Sequence, residues 1–433
     1  YAAWRMSLGE LPYRDFLTPQ LPAFLFPGGA LMRLTGPEAW PARALAVAAA
    51  LGAGAVWWVL LRRLFGPFVA LVGMAAFLLH PDVYAASRTF RAEPFMLLWQ
   101  ALGALAFARA VLPRPERTEP PRRAWLVASG ACFGLATLAK LFGPWPLAGL
   151  LLWLLDDGRR RARPWRATWI DAALAVAACG AVVAAGMAAL ALAAGPSVVW
   201  EATVGHHVRQ GASKPLAEVL GEGVALFGLY LRDANRAVPA VLAAAVAGHA
   251  LRRGTRGERL LGWPLVTAAG LLLLTRDRYP RHLLYLAPFV AGLFALAVRR
   301  LTAIAPRDPA DARWPRLAAA ALVVAVIGSW RLYDRDYVQA RAEDGTMRVA
   351  DVLSLLTAPG EAILSDYSEL NFYARRPTTY SAASLSSGAV QSGQIDWPRL
   401  AGEIRQGQPP ALLALELDSP ESHLRYLSPA DHA

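Results

Sequence analysis

The sequence predicts an all-α polytopic membrane protein with a small soluble α/β domain at its C-terminal end. Of its 433 residues, 56% are hydrophobic, and they gather in long blocks separated by short polar stretches. A block of about 17–25 predominantly apolar residues is long enough to cross a bilayer as a helix. This composition excludes disordered and collagen-like proteins and is too apolar for an ordinary large soluble enzyme.

The basic residues predict how the apolar blocks are oriented. Five arginine clusters separate alternate blocks, and the positive-inside rule places all five in the cytoplasm: Arg62–Arg63, Arg114–Arg123, Arg159–Arg166, Arg252–Arg259 and Arg299–Arg316. About ten crossings between residues 41 and 332 follow, from blocks near 41–61, 67–80, 94–111, 124–139, 144–155, 170–194, 237–251, 263–274, 283–298 and 317–332. The net charge of +12 therefore indicates orientation and not nucleic-acid binding.

Residues 1–40 are predicted to form the first extracytoplasmic loop. Tyr1, Trp4 and Leu8 would share one face of a helix, which is typical of a helix at the membrane interface. Because the first apolar block is entered from outside, we expect a further transmembrane helix upstream of Tyr1.

Residues 333–433 have the composition of a soluble domain, which the topology places outside the cytoplasm. Periodicity predicts helices at Thr346–Thr357 and Trp397–Gln406, and strands at Ala362–Leu364 and Ala411–Leu417. We therefore expect a small extracytoplasmic α/β domain.

Polar residues at membrane depth gather in the loops that this topology places outside. Unpaired polar groups are costly there, and cations in outer loops need a partner, for which an anionic headgroup or phosphate is suited. The residues are Tyr13, Asp15, Asp82, Arg88, Arg91, Glu93, Lys140, His206, His207, Arg209, Arg276, Asp277, Arg278, Tyr279, Arg281 and His282.

Four segments resemble bacterial membrane glycosyltransferases of the GT-C class, the relatives of protein O-mannosyltransferases and of the lipid A aminoarabinose transferase. Residues 9–22 are similar to the first outer loop of that family, and Ala92-Glu93-Pro94, preceded by Arg88 and Arg91, to the second. Gly134–Lys140 and Arg278–Leu284, the latter followed by Pro288, resemble two further family segments. The order of the segments and their shared outer face carry the resemblance.

The resemblance implies transfer of a sugar from a polyprenyl-phosphate donor to a glycan, lipid or protein acceptor at the outer face of the bacterial cytoplasmic membrane. It implies that Glu93 and Asp15 are catalytic candidates, and that the principal acid belongs to an Asp-Glu or Asp-Asp pair expected upstream of Tyr1. It assigns the donor phosphate to Lys140, Arg278, Arg281, Arg88 and Arg91, and positioning of donor or acceptor to Tyr13, Tyr279 and His282. A second family acid near Leu17–Gln20 has no carboxylate counterpart here, so no metal ligand is assigned, and a divalent metal ion stays open as a cofactor.

Structural and functional alternatives remain. Asp15 could cap a turn or pair with Arg14, Glu93 could cap a helix, and Lys140 could be a lysine that extends to the interface from a helix end. At the level of the whole protein, a transporter or flippase of lipid-linked sugars would also need cations at membrane depth, although it favours repeated halves that the sequence lacks. A non-catalytic assembly protein could use the outer arginines to dock membrane lipids.

Overall fold

The computed structural model describes residues 1–112, 123–205, 207–209, 214–276, 279–303, 320, 324, 345–406 and 410–414. The first half of this part contains helices α1 (Ala2–Ser7), α2 (Pro22–Thr35), α3 (Ala39–Phe65), α4 (Pro67–Leu78), α5 (Pro81–Ser87), α6 (Ala92–Val111), α7 (Arg123–Ala139), α8 (Trp145–Arg160), α9 (Trp165–Ala194) and α10 (Pro196–Trp200), followed by a π-helical turn (Glu201–Gly205). The second half contains α11 (Leu216–Tyr230), α12 (Ala234–Arg253), α13 (Arg256–Leu274), a 3-10 segment (Pro280–Leu286), α14 (Ala287–Thr302), α15 (Thr346–Leu356), β1 (Ile363–Ser365), α16 (Ser368–Ala374), a 3-10 turn (Ala382–Ser384), α17 (Ser387–Gln391), α18 (Trp397–Gln406) and β2 (Leu412–Ala414).

Several of these helices have the length and composition of membrane spans. Within the described residues, five qualify, namely Ala39–Phe65, Ala92–Val111, Trp165–Ala194, Arg256–Leu274 and Pro280–Thr302. Helices α4 and α5, which meet at a bend of 61°, give a sixth if they form one broken span. The protein is thus a multi-pass membrane protein. About ten crossings stay a prediction, and nearly all of the block 317–332 lies outside the described residues.

The chain divides into two compact units. The first contains Tyr1–Ala42, Gly186–Lys214 and Val338–Ala433, and the second contains Arg43–Ala185 and Pro215–Tyr337. From the sequence, the first loop and the C-terminal region are predicted as separate parts, whereas in the structure they belong to the same compact unit. Contacts between residues far apart in sequence produce this grouping, and periodicity does not reveal them.

In the second unit, α6 and α7 form an antiparallel pair in which small residues allow close approach. A side chain at Gly103 would collide with the Phe133 ring, and Ser129 Oγ donates a hydrogen bond to the Gly103 carbonyl at 2.8 Å. On its other side α7 meets α9, where a β-carbon at Gly130 would lie 2.1 Å from the Ala175 carbonyl oxygen. Such small-residue contacts are the usual way for membrane helices to pack tightly.

The first unit has its own apolar core. Tyr13 and Leu17 from the first loop pack with residues of the 186–214 segment and of the C-terminal region, including Leu190, Val199, Leu385 and Ile395. Backbone contacts support this packing, since the Leu17 N–H donates to the Tyr380 carbonyl at 2.9 Å. The Tyr380 hydroxyl donates in turn to the Tyr13 carbonyl at 2.6 Å.

The residues that the sequence places on one interfacial face of α1 differ in their burial. Trp4 is buried, with its ring edge-on to Phe372 at a centroid distance of 6.3 Å, whereas Leu8 is 61% exposed. Trp4 therefore belongs to the core of the first unit. Leu8 lies just beyond the last helical residue, where the 3.6-residue period no longer applies.

The predicted secondary structure of the C-terminal region is confirmed in its described part. Helices α15 and α18 lie at the predicted positions, and β1 and β2 pair in parallel with Ile363 opposite Leu412 and Ser365 opposite Ala414. The Asn371 amide supports this small sheet, because it donates to the Ile363 carbonyl at 3.0 Å. Residues 415–417 of the predicted second strand lie outside the described residues.

Candidate functional site

A buried ion pair joins the first turn of α6 to the end of α7. Lys140 Nζ lies 2.7 Å from Glu93 Oε1, and the Glu93 side chain is only 4% exposed. Arg91 is a second cation at this carboxylate, with its Nε 3.5 Å from Glu93 Oε2. A carboxylate in a first helical turn and a cation at a helix end both complement the helix dipoles. Two of the segments that resemble the GT-C family, Ala92-Glu93-Pro94 and Gly134–Lys140, therefore meet in one site.

The turn after α7 fixes the position of Lys140. The Gly143 N–H donates to the Lys140 carbonyl at 2.8 Å, and Gln100 Nε2 donates to the Gly143 carbonyl at 3.0 Å. Gly143 lies so close to the end of α7 that a β-carbon would be 2.2 Å from the Ala136 carbonyl carbon. Burial lowers the pKa of the Lys140 ammonium in this turn, and the neighbouring Glu93 acts in the opposite direction.

Aromatic side chains form one wall of the site. Lys140 Nζ lies 5.7 Å from the centre of the Tyr285 ring, within the range of a cation–π contact. The His282 and Tyr285 rings stack at 5.5 Å, and Phe142 contacts both of them, at 4.8 and 5.1 Å. The turn 140–143 and the 3-10 segment thus pack directly against each other.

The other predicted phosphate ligands within the described residues lie in the same unit. Arg281 is exposed, and its guanidinium lies 4.7 Å from the centre of the Tyr279 ring. Arg88 donates to the Tyr84 hydroxyl at 2.8 Å. Arg91 contacts Glu93, and the Tyr279 N–H donates to His282 Nδ1 at 3.4 Å. Arg278 lies outside the described residues.

Tyr13 and Asp15 belong to the first unit, which is described by itself. Asp15 accepts a hydrogen bond from the Leu11 N–H at 2.8 Å and pairs with Arg14 at 2.8 Å. These are the two contacts expected if Asp15 has a structural role, in which it caps a turn and pairs with Arg14. The Arg14 guanidinium holds the pKa of the Asp15 carboxyl below its usual range. Tyr13 donates to the Gln20 carbonyl, and burial raises the pKa of its phenol.

Other polar groups in and near the loops predicted to lie outside have structural partners. Arg209 pairs with Glu201, with Nη1 and Oε2 2.9 Å apart, and His206 lies outside the described residues. Arg236 pairs with Asp82 at 2.6 Å, and His80 Nε2 lies 2.8 Å from the Tyr230 hydroxyl. Throughout the described ranges, no three His, Cys, Asp or Glu side chains are grouped as metal ligands would be.

Sequence reasoning missed three residues of the site. Tyr285 lies three positions after His282 and directly follows the segment Arg278–Leu284, so helical spacing could have indicated it. Gln100 is the one polar residue between Phe95 and Ala108, which is itself a signal in a membrane helix. Phe142 carries no comparable signal, because an aromatic residue in an apolar turn is ordinary.

The fold is that of a polytopic membrane protein of the GT-C architecture. ArnT from Cupriavidus metallidurans bound to undecaprenyl phosphate aligns with a TM-score of 0.62 at 17% identity, covering 87% of this chain and 79% of ArnT. The apo state of the same enzyme aligns with a TM-score of 0.58 at 16% identity, covering 87% and 83%. The oligosaccharyltransferase of Archaeoglobus fulgidus in complex with Zn and sulfate aligns with a TM-score of 0.56 at 13% identity, covering 88% of this chain and 57% of that one. At these identities the structural likeness establishes the fold.

A family model matches part of the sequence. Residues 19–200 match the family model of the dolichyl-phosphate-mannose-protein mannosyltransferases. With the shared fold, this match confirms the resemblance to the GT-C glycosyltransferases. A comparison with curated proteins gave no match.

Proposed function

We propose that this protein transfers a sugar from a polyprenyl-phosphate donor to an acceptor at the extracytoplasmic face of the bacterial cytoplasmic membrane. The observation that carries the proposal is the buried Glu93–Lys140 pair, which has Arg91 on one side and the Tyr285 ring on the other. Glycosyl transfer from such a donor breaks the bond between the sugar and the phosphate oxygen and releases the polyprenyl phosphate. A lysine held within aromatic walls is suited to bind the negative charge of this leaving group.

Lys140 is proposed as the main phosphate ligand. Its ammonium has three N–H groups, and the contact with Glu93 uses one of them. The side chain is 21% exposed, so it is accessible while largely shielded from solvent. Arg281, Arg88, Arg91 and Arg278 are proposed as the surrounding cations, which would neutralise charge on the leaving phosphate as the glycosidic bond breaks.

Glu93 is proposed to orient Lys140 and keep it charged. Its two oxygens face Lys140 and Arg91, an arrangement that suits a positioning role better than proton abstraction. Asp15, which caps a turn and contacts Arg14, is likewise better placed to shape the first loop. The carboxylate that accepts the proton of the acceptor hydroxyl is expected in the acid pair upstream of Tyr1.

Tyr13, Tyr279 and His282 are proposed to position the sugar or the acceptor. Tyr279 and His282 lie in and next to the 3-10 segment that packs on the Lys140 turn, which supports their assignment. The proposed transfer uses side chains of the protein and assigns no role to a metal ion.

The experiment is a transfer assay on the full-length protein reconstituted in liposomes with radiolabelled polyprenyl-phosphate sugars. Removing Lys140 takes away charge stabilisation of the leaving group, so Lys140→Ala should lower turnover by about 10²–10³-fold. The chain's one other lysine provides the matched control, and Lys214→Ala should retain full turnover.

The assay also tests the alternative functions. Full transfer by a well-folded Lys140→Ala variant would contradict the proposed phosphate contact. If the wild type moves labelled donor between leaflets without transferring sugar, the transporter alternative replaces the proposal. If it binds anionic lipid but neither transfers nor translocates the donor, the assembly-protein alternative replaces it.

A further inference from the structure

A narrow cleft in the second unit lies beside the candidate site. On α6, Leu97 and Gln100 line the cleft one and two turns after Glu93, so the cleft reaches about 10 Å further along the helix axis. On the 3-10 segment and α14, Pro288 and Phe289 follow Tyr285 by about one turn and also line it. Ala53, Trp57, Phe77 and Ala101 complete the lining.

Two of the residues that line the cleft, Trp57 and Gln100, each have a buried polar atom without a partner in the described part of the chain. The Trp57 indole N–H and the Gln100 amide oxygen have no hydrogen-bond partner among the described residues. Trp57 is only 2% exposed and Gln100 only 4%. Buried polar groups in proteins are nearly always hydrogen-bonded, so a donor and an acceptor left over in one cleft require an explanation.

The orientation of the Gln100 amide is fixed by its other contact. Its Nε2 donates to the Gly143 carbonyl at 3.0 Å, and an oxygen in that place could not donate. The amide oxygen is therefore the group that remains. The Trp57 ring is held edge-on to Phe289 at a centroid distance of 5.6 Å and an interplanar angle of 90°.

These two groups restrict the chemistry of a ligand. Trp57 requires an acceptor and Gln100 requires a donor. A hydrocarbon chain offers neither, a carboxylate or phosphate offers acceptors alone, and an ammonium offers donors alone. A hydroxyl group does both with a single oxygen atom, and it fits a narrow cleft whose other walls are alkyl and aromatic.

We propose that the cleft binds one hydroxyl group, which accepts from the Trp57 indole N–H and donates to the Gln100 amide oxygen. The hydroxyl belongs either to a water molecule or to the sugar donor. Gln100 also holds the Lys140–Gly143 turn, so a hydroxyl in the cleft would complete a hydrogen-bonded connection from Trp57 to the candidate site.

The test is a double-mutant cycle on the full-length protein in nanodiscs, with the apparent Tm as the readout. Trp57→Phe removes the N–H and keeps an aromatic ring, while Gln100→Leu removes the amide. If one hydroxyl bridges them, each single variant breaks the bridge, and the double variant should lose clearly less Tm than the sum of the two single losses. The loss of the Gly143 contact occurs both in Gln100→Leu and in the double variant, so it cancels in the cycle.

A control cycle separates hydrogen bonding from packing. Phe77 lines the same cleft without a polar atom, so Phe77→Leu combined with Gln100→Leu should give additive losses of Tm. Equal coupling in both cycles would overturn the proposal, because it would trace the effect to packing. Additive losses in the Trp57–Gln100 cycle, with and without donor, would overturn it as well.

The same cycle identifies the source of the hydroxyl. Coupling in the ligand-free protein indicates a bound water molecule, whereas coupling that arises only after addition of a polyprenyl-phosphate sugar indicates a donor hydroxyl. The donor arm rests on the proposed function, and the ligand-free arm does not. A failed transfer assay together with coupling in the ligand-free protein would therefore refute the function and leave the hydroxyl site standing.

Discussion

The two ends of α6 show how charged residues serve different purposes in one membrane unit. Glu93 and Val111 lie 18 residues apart on this helix, which corresponds to about 27 Å, close to the thickness of a bilayer's hydrocarbon core. At the first end Glu93 holds Lys140 beside aromatic rings. At the other end Arg256 donates to the Val111 carbonyl at 2.9 Å and pairs with Asp157 at 2.7 Å.

Arginines at this second end bind the last carbonyls of helices. Arg63 donates to the Leu112 carbonyl at 2.6 Å, Arg160 to the Leu251 carbonyl at 2.8 Å, and Arg299 to the Phe65 carbonyl at 3.2 Å. These side chains satisfy backbone acceptors that the helices themselves leave open. The arginine clusters that predict topology from sequence thus also cap and connect helix ends.

The difference separates structural ion pairs from the pair that is proposed to bind phosphate. At the arginine-rich end, carboxylates and carbonyls use the guanidinium donors to join helices. At the Lys140 end, a single ammonium is held by one carboxylate with aromatic neighbours, which is an arrangement suited to an incoming anion.

Exchanging the two charges of the site should have the largest effect. Glu93→Lys and Lys140→Glu each place like charges together at a buried position, so each should destabilise the protein strongly. The double variant restores an opposite pair and should recover most of the Tm. Its turnover should remain about 10²–10³-fold below wild type, because the cation is now on α6. A double variant that regains both Tm and turnover would show that the pair is structural, like those at the other end.

Asp157→Asn should have an intermediate effect, on stability alone. It leaves Arg256 and Arg259 without their shared carboxylate. Breaking a fully buried pair costs about 3–5 kcal/mol, and because Arg256 is 30% exposed we expect about 2 kcal/mol. Thermal unfolding in detergent measures the change, and turnover per folded molecule should equal that of wild type. Asp156→Asn is the matched control: its close partner Arg160 is 40% exposed and its contact with Arg259 is longer, at 3.3 Å, so its loss of Tm should be smaller. Reduced turnover of folded Asp157→Asn would contradict the division between the two ends.

A shift in pH dependence is the smallest expected effect. Burial lowers the Lys140 pKa, so the ammonium loses its proton at a lower pH than an exposed lysine would, and activity should fall as pH rises through that pKa. Glu93 raises the Lys140 pKa, so Glu93→Gln should move the alkaline limb of the pH–kcat/KM profile to lower pH. An unmoved limb in an active Glu93→Gln variant would show that Lys140 does not titrate there.

Much of the fold was predictable from sequence, because the bilayer sets the length of apolar segments and secondary structure sets the spacing of apolar residues. The blocks near 94–111 and 124–139 become α6 and α7, and Trp397–Gln406 forms the predicted helix. The grouping of Tyr13 and Leu17 with Leu385 was not predictable, since it depends on packing between residues hundreds of positions apart. Helix α5 (Pro81–Ser87) was not predictable, because the apolar block near 67–80 ends before it and the polar residues that follow indicate a loop.

For the candidate site, the residue types were predictable from sequence, whereas their pairing was not. Glu93, Lys140 and His282 were named from separate segments, and the structure brings all three into one part of the second unit. The direct Glu93–Lys140 contact and the Tyr285 wall follow from how α6, α7 and the 3-10 segment meet. No local pattern in a single sequence indicates such contacts between distant elements.

Gly143 has a consequence for attempts to alter this protein. The smallest possible addition there, one methyl group, would lie 2.2 Å from Ala136 and 2.3 Å from Thr137, and both contacts are with rigid backbone. A library that randomises the residues around the lysine should therefore keep position 143 constant and diversify its aromatic neighbours instead. In a deep mutational scan, this glycine should be as intolerant of alanine as of tryptophan, a profile that distinguishes a steric limit from a chemical one.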